Sequence, residues 1–140
     1  MRRFLILLAL SPLLMAMSGS APNLRMFANK PFTPGLWRLS PLDDDSRARM
    51  PKGRAMCILD PDALFHTGFD SADSRCGHTI LTDEASHATL TYVCKGQGYG
   101  RASVRRAGDR YIVEAQGVAG REPFDMRGEY HRIADCATHR

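Results

Sequence analysis

Residues 76–94 read CGHTILTDEASHATLTYVC, and this stretch decides the fold. Two short segments rich in Thr, Ile, Leu, Tyr and Val flank a polar break at residues 83–86, which is typical of a β-hairpin. A turn centred on Ala85 places Cys76 directly opposite Cys94. Cβ atoms in such pairs lie about 4.5–5.5 Å apart, close to disulfide geometry, so the register predicts a Cys76–Cys94 bridge. It also gives two further pairs: His78 with Tyr92, and Ile80 with Leu90.

The N-terminus has the three parts of a secretory signal peptide. Arg2 and Arg3 precede an apolar run over residues 4–17, and small residues follow at positions 18–21. A membrane anchor is the alternative, but a spanning helix needs about 20 apolar residues and polar residues arrive too early here. We therefore expect residues 1–20 to be a signal peptide, cleaved after Ser18 or Ser20. The mature chain would have no stable membrane anchor and would be periplasmic or secreted.

Export places the four cysteines in an oxidising compartment, where an even number usually forms disulfides. With Cys76 joined to Cys94, elimination pairs Cys57 with Cys136. The sequence contains no C-x-x-C motif and no zinc-module spacing, so redox catalysis and a zinc site are disfavoured. No cofactor is predicted.

Charge excludes one class of partner. Lys plus Arg exceed Asp plus Glu by 19 to 15 in the whole chain, and loss of Arg2 and Arg3 reduces this to 17 to 15. So small an excess gives no basic field that would favour nucleic acid. The remaining length suits one core. We expect four parts: a signal peptide at 1–20, a flexible lead at 21–31, a single β domain at 32–136 and a tail at 137–140.

The rest of the chain also indicates short strands. Residues 36–40, 55–59 and 124–131 have strand composition or alternation, and residues 101–106 with 110–116 are predicted to form a second hairpin. One short helix is expected at Asp60–His66, capped by Asp60, whereas Asp43–Asp45 is interpreted as a solvated turn. The prediction is a mainly β fold: an antiparallel meander of about seven strands, curled into a barrel or half-barrel, with a β-sandwich as the alternative.

A curled sheet of this kind can enclose a ligand on its concave face. Strand alternation places Phe124, Met126 and Tyr130 on one side of the last strand, and the hairpin register adds residues that share a face with His78. The predicted pocket lining is Trp37, His78, Ile80, Leu90, Tyr92, Phe124, Met126 and Tyr130.

Several features together resemble a known family. They are the Pro34–Trp37 element PGLW, a cysteine ending the second strand before a short helix, the cysteine-bounded hairpin, glycine-rich later strands and a final cysteine. Over about Phe32 to Cys136 the chain resembles the bacterial exported family catalogued as domain of unknown function 3617. One departure is Ala134-Asp135 before Cys136, where that family often has glycine. The resemblance implies an envelope location and a β-rich fold, with no activity and no catalytic residues to transfer.

The sequence offers no catalytic constellation. It has no G-x-S-x-G motif and no free cysteine once both bridges form. The favoured hypothesis is a non-catalytic envelope module that binds a small apolar ligand or another protein. The alternative is a hydrolase or metal-dependent enzyme, for which His78 or His131 must meet a carboxylate in a cleft.

Overall fold

The computed structural model describes residues 23–50, 52–67 and 76–137. The predicted signal peptide, and residues 138–140 of the tail, lie outside these ranges. Within them, seven antiparallel strands form one sheet, and an α-helix follows the first strand. The elements in chain order are β1 (Gly35–Pro41), α1 (Asp44–Arg49), β2 (Arg54–Ile58), β3 (Cys76–Asp83), β4 (His87–Cys94), β5 (Gly98–Ala107), β6 (Arg110–Ala119) and β7 (Glu122–Ala134).

The sheet is open. Its strand order is β2-β1-β7-β6-β5-β4-β3, so β2 and β3 are its two edges. The mainly β, antiparallel prediction is confirmed, and β3 to β7 form a meander of sequential neighbours. The closed barrel is wrong, because no pairing joins β2 to β3 in the described chain. The alternative sandwich is also wrong, since all seven described strands belong to one sheet.

The hairpin register is as the sequence predicts. Strand β3 pairs with β4 so that Cys76 lies opposite Cys94, and both predicted disulfides are present. The Cα atoms of Cys76 and Cys94 are 4.1 Å apart, and those of Cys57 and Cys136 are 5.4 Å apart. The register shifts only past Ile80, at an irregularity in the edge strand. The second bridge joins the β2 edge to the chain beyond β7.

The predicted helical turn with its Asp60 cap is present, and a further helix lies where none was predicted. The segment expected to be helical forms a single 3₁₀ turn, Pro61–Leu64, in which the Asp60 side chain accepts from the Asp62 N–H at 2.9 Å. The α-helix lies instead where the acidic run was interpreted as a solvated turn. Asp43 is its N-cap, and its Oδ1 accepts from the Ser46 N–H at 2.7 Å. The acids therefore begin a helix, as favoured by the partial positive charge of a helix N-terminus.

Helix α1 covers the part of the β7 edge that β1 leaves unpaired. Strand β1 pairs with β7 only as far as Gly128. Beyond that point the Leu42 N–H donates to the Arg127 carbonyl at 3.0 Å, and the Arg127 N–H donates to Ser46 Oγ at 2.8 Å. These bonds replace a missing strand, because exposed backbone groups of a β edge need partners.

The core lies on one side of the sheet, which we call the inner face. Alternate residues of the strands point there and pack into a single apolar cluster that includes Trp37, Leu39, Leu90, Tyr92, Val104, Val113 and Tyr130. The opposite side is called the outer face. It carries the intervening residues of the same strands, as period-two alternation requires.

Two segments outside the strands cover the inner face. One is the 3₁₀ turn with the residues after it: Leu64 and Phe65 are fully buried. The other belongs to the predicted flexible lead, in which Leu24 and Met26 are buried in the core. Arg106 of β5 donates to the Met26 and Lys30 carbonyls and holds this segment down. Leu24 and Met26 of the predicted lead are therefore packed against the β domain.

We expect Gly100→Ala to lower the free energy of unfolding by about 1–3 kcal/mol, as overpacking of a tight interior does. A Cβ on Gly100 would lie 2.6 Å from the Tyr92 hydroxyl oxygen and 2.8 Å from the Gln116 carbonyl oxygen, and the latter belongs to the backbone. Urea unfolding measures the change.

Gly77→Ala is the matched control, because a Cβ on this β3 glycine meets nothing within 4 Å. It should leave stability unchanged or raise it by up to about 1 kcal/mol. Equal losses in the two variants would contradict the close packing at Gly100.

Candidate functional site

The eight residues predicted to line a pocket all lie on the inner face, and four of them are buried in the core. Trp37, Leu90, Tyr92 and Tyr130 are buried. Three others are half-buried: His78, Phe124 and Met126. Ile80 lies on the edge strand β3 and is 43% exposed. Their shared face was predictable from alternation, but the segments that fill it were not.

The buried turn shows how the inner face is filled. The Thr67 hydroxyl donates to the Leu64 carbonyl at 2.8 Å, which leaves its oxygen to accept from the Tyr130 hydroxyl at 3.0 Å. His66 packs edge-on against the Tyr92 ring, with centroids 5.3 Å apart. The turn therefore contacts both β4 and β7, and these tyrosines form part of a packed interior.

The outer face carries a groove across four strands, β4 to β7. It contains a cross-strand row of apolar residues, the apolar row, in which each member is the register partner of the next. The row consists of Val93, Tyr99, Val118 and Pro123. Val93 is 64% exposed and Tyr99 58% exposed. Large apolar side chains on the solvent side of a sheet are informative when they cluster in this way.

Glycines lie at the floor of this groove. Gly100 of β5 is paired with Gly117 of β6, between the outer residues of their strands. Neither has a side chain, and a Cβ on Gly117 would collide with the Tyr99 carbonyl and the Gly100 backbone. The two strands therefore approach closely here. Both glycines take inner-face positions, so they contribute only backbone to the floor. The outer groove has a volume of about 660 Å³, within the range of small-molecule sites.

A polar row lies beside the apolar row, two residues away from it along each strand. It contains Thr91, Arg101, Gln116 and Asp125, again register partners in order. A second cavity of about 300 Å³, the polar cleft, adjoins it and adds Ser103, Glu114 and Ala115. Arg101, Gln116 and Asp125 line both the outer groove and the polar cleft.

Helix α1 contributes a further cation to the groove. Arg49, in its last turn, donates from Nη1 to the Pro123 carbonyl at 3.5 Å and lines the groove. Sequence reasoning placed no helix here and therefore missed this residue. It also missed Val93 and Tyr99, although strand alternation with Tyr92 and Gly100 would have placed both on the outer face.

In the part of the chain that the structure describes, the histidines proposed for catalysis do not meet acids. Among the described residues, neither His78 nor His131 forms a hydrogen bond or ion pair with a carboxylate. His66 comes nearest, with Nδ1 3.7 Å from Asp62 Oδ2. Burial lowers the pKa of His66, the Asp62 carboxylate opposes that shift, and nearby His78 adds to it.

A hydrogen-bonded Ser–His pair does lie on the outer face. Ser103 Oγ is 2.8 Å from His87 Nε2 and 2.7 Å from Thr89 Oγ1. Its setting is unsuited to acyl transfer, because the strands on both sides of Ser103 are in continuous ladders that use their backbone N–H groups. An oxyanion needs donors that are free to bind it. The nearest acid across the ladder, Glu114, is bound by Arg127 Nε at 3.1 Å.

The described residues contain no cluster of three or more His, Cys, Asp or Glu side chains that could hold a metal ion. No helix in the described ranges is long and apolar enough to cross a membrane. Comparison with protein-family models, curated proteins and solved structures finds no match for this chain.

Acidification should destabilise the fold through His66. Its pKa is lowered from 6.5 in the folded state, so the unfolded chain binds the proton more readily. The contribution of His66 to the free energy of unfolding is therefore fully present above about pH 6.5 and is lost as the pH falls below that value. Urea unfolding at about pH 7.5 and 5.5 should show a smaller loss for His66→Gln than for wild type.

His131→Gln is the control, because His131 is not among the groups that shift the pKa of His66. If wild type and His66→Gln lose the same free energy of unfolding on acidification, His66 does not carry the effect.

Proposed function

We propose that this protein is an exported binding module that holds an apolar ligand in the outer groove. The observation that carries the proposal is the apolar row, lying exposed over a floor with glycines in a groove of about 660 Å³. Apolar surface removed from water contributes about 25 cal/mol per Å². Covering Val93 and Tyr99 together would thus contribute about 2–3 kcal/mol to binding.

Binding is favoured over catalysis by the side chains present. The polar row offers a guanidinium, an amide, a hydroxyl and a carboxylate, but no nucleophile activated by a base. The alternative, an enzyme that uses His78 or His131, has no supporting contact among the described residues. A few polar groups beside an apolar wall are the usual composition of a site that orients a ligand.

Export is the second part of the proposal. It is supported by the signal-peptide pattern at 1–20, by the two disulfides and by the resemblance to the bacterial exported family catalogued as domain of unknown function 3617. Disulfides persist in the periplasm and outside the cell, whereas cytosolic thiols are kept reduced. A periplasmic or secreted location would provide the oxidising conditions that both bridges need.

Export is tested by expressing the full chain in a Gram-negative host and measuring the intact mass of the periplasmic product. We expect a chain beginning at Gly19 or Ala21, four hydrogens lighter than its reduced form because of the two disulfides. An uncleaved chain that stays in the cytoplasm with reduced cysteines would contradict this part of the proposal.

The groove is tested with N-phenyl-1-naphthylamine, an uncharged apolar dye that fluoresces when shielded from water. Replacing Val93 and Tyr99 by serine removes most of the exposed apolar wall. We expect this double variant to bind the dye about tenfold or more weakly than wild type.

Leu59→Ser is the matched control, because Leu59 is 70% exposed but does not line the outer groove. It should bind the dye as wild type does, and urea unfolding should show that all variants are folded. Undiminished dye binding by the double variant would rule out this groove as the site.

A further inference from the structure

The outer groove and the polar cleft adjoin each other and differ in their lining. The apolar row lines only the outer groove, while Arg101, Gln116 and Asp125 line both cavities. Residues two apart on a strand are separated by about 6.6 Å, so the polar row lies one such step from the apolar row. A ligand occupying both would need an apolar part joined directly to a polar part.

The charges at this boundary favour an anion. Arg49 and Arg101 line the outer groove with a single acid, Asp125. Arg101 forms no ion pair with any described residue, whereas Glu114 in the polar cleft is already bound by Arg127. Asp125 is two strands away from Arg101, with Gln116 between them. Their backbones are therefore about 9.5 Å apart, and no ion pair joins these two described side chains.

Resting on the function proposed above, we infer that the ligand is an amphiphile with one apolar chain and one anionic head group. The chain lies along the apolar row, and the head group binds the Arg101 guanidinium at the mouth of the polar cleft. A guanidinium presents parallel N–H donors that match the two oxygens of a carboxylate. Gln116 and Ser103 supply further polar groups beside the head.

The size of the apolar row suggests the probes. Four neighbouring strands span about 14 Å, a length that suits a dodecyl chain. Dodecanoate, dodecanol and dodecylamine share this chain and differ only in the charge of the head group. Each is measured by its displacement of N-phenyl-1-naphthylamine from the oxidised mature protein, below the concentration at which it forms micelles.

We expect wild type to bind dodecanoate about five- to tenfold more tightly than dodecanol, and dodecylamine no more tightly than dodecanol. Arg101→Gln should bring dodecanoate to the affinity of dodecanol and leave dodecanol unchanged. High salt should also reduce the preference, because Arg101 is exposed and its field is screened.

Arg105→Gln is the matched control. Arg105 is on the same strand and the same face, four residues further on, and lines neither the outer groove nor the polar cleft. This variant loses the same charge, so it should keep the wild-type preference for dodecanoate. A loss equal to that of Arg101→Gln would assign the preference to net charge and overturn the role of Arg101.

The other outcomes separate the two proposals. Equal binding of acid and alcohol by wild type would overturn the anionic head group while leaving the apolar groove in place. Tightest binding of dodecylamine would overturn it in favour of a cation held by Asp125. If none of the three displaces the dye, or the dye itself does not bind, the groove and the amphiphile fail together.

Discussion

An open sheet has two faces, and the covering segments in the described part of the chain pack on only one of them. The 3₁₀ turn and the segment around Met26 close the inner face, and helix α1 is used to complete the edge of β7. On the outer face, the described chain leaves Val93 and Tyr99 exposed. The core occupies the inner face, where a curled sheet would ordinarily enclose a ligand. The outer groove and the polar cleft, which have room for a ligand, therefore lie on the outer face.

The hairpin could be predicted in register because its two cysteines and its turn are local and agree with each other. Cys76 and Cys94 end segments of similar length around Ala85, so only one alignment makes them opposite. The last strand was equally clear, since Phe124, Met126, Gly128 and Tyr130 alternate with charged residues. Closure of the sheet was not predictable, because it depends on whether two edge strands meet, and no local pattern encodes that.

Helix α1 and the covering segments depend on distant partners. A six-residue helix is too short to show an apolar period, and it is stable here because Asp43 caps it and because Ser46 accepts from Arg127, 81 residues away. Leu24 and Met26 lie in a stretch with no strand pattern, and Arg106 of β5 holds them down. The outer groove was missed for a related reason: Val93 and Tyr99 join Val118 and Pro123 only across four paired strands, and no single strand carries that signal.

The Cys57–Cys136 bridge also determines how the protein responds to mechanical force. Strands β3 to β7 lie entirely between the two bridged cysteines. Tension applied to the ends of the folded chain passes through β1 and β2, crosses the bridge and leaves at Cys136, bypassing the five strands of the meander. Pulling can peel β1 from β7, but the strands that carry the groove are held in a covalent ring and are shielded from the load.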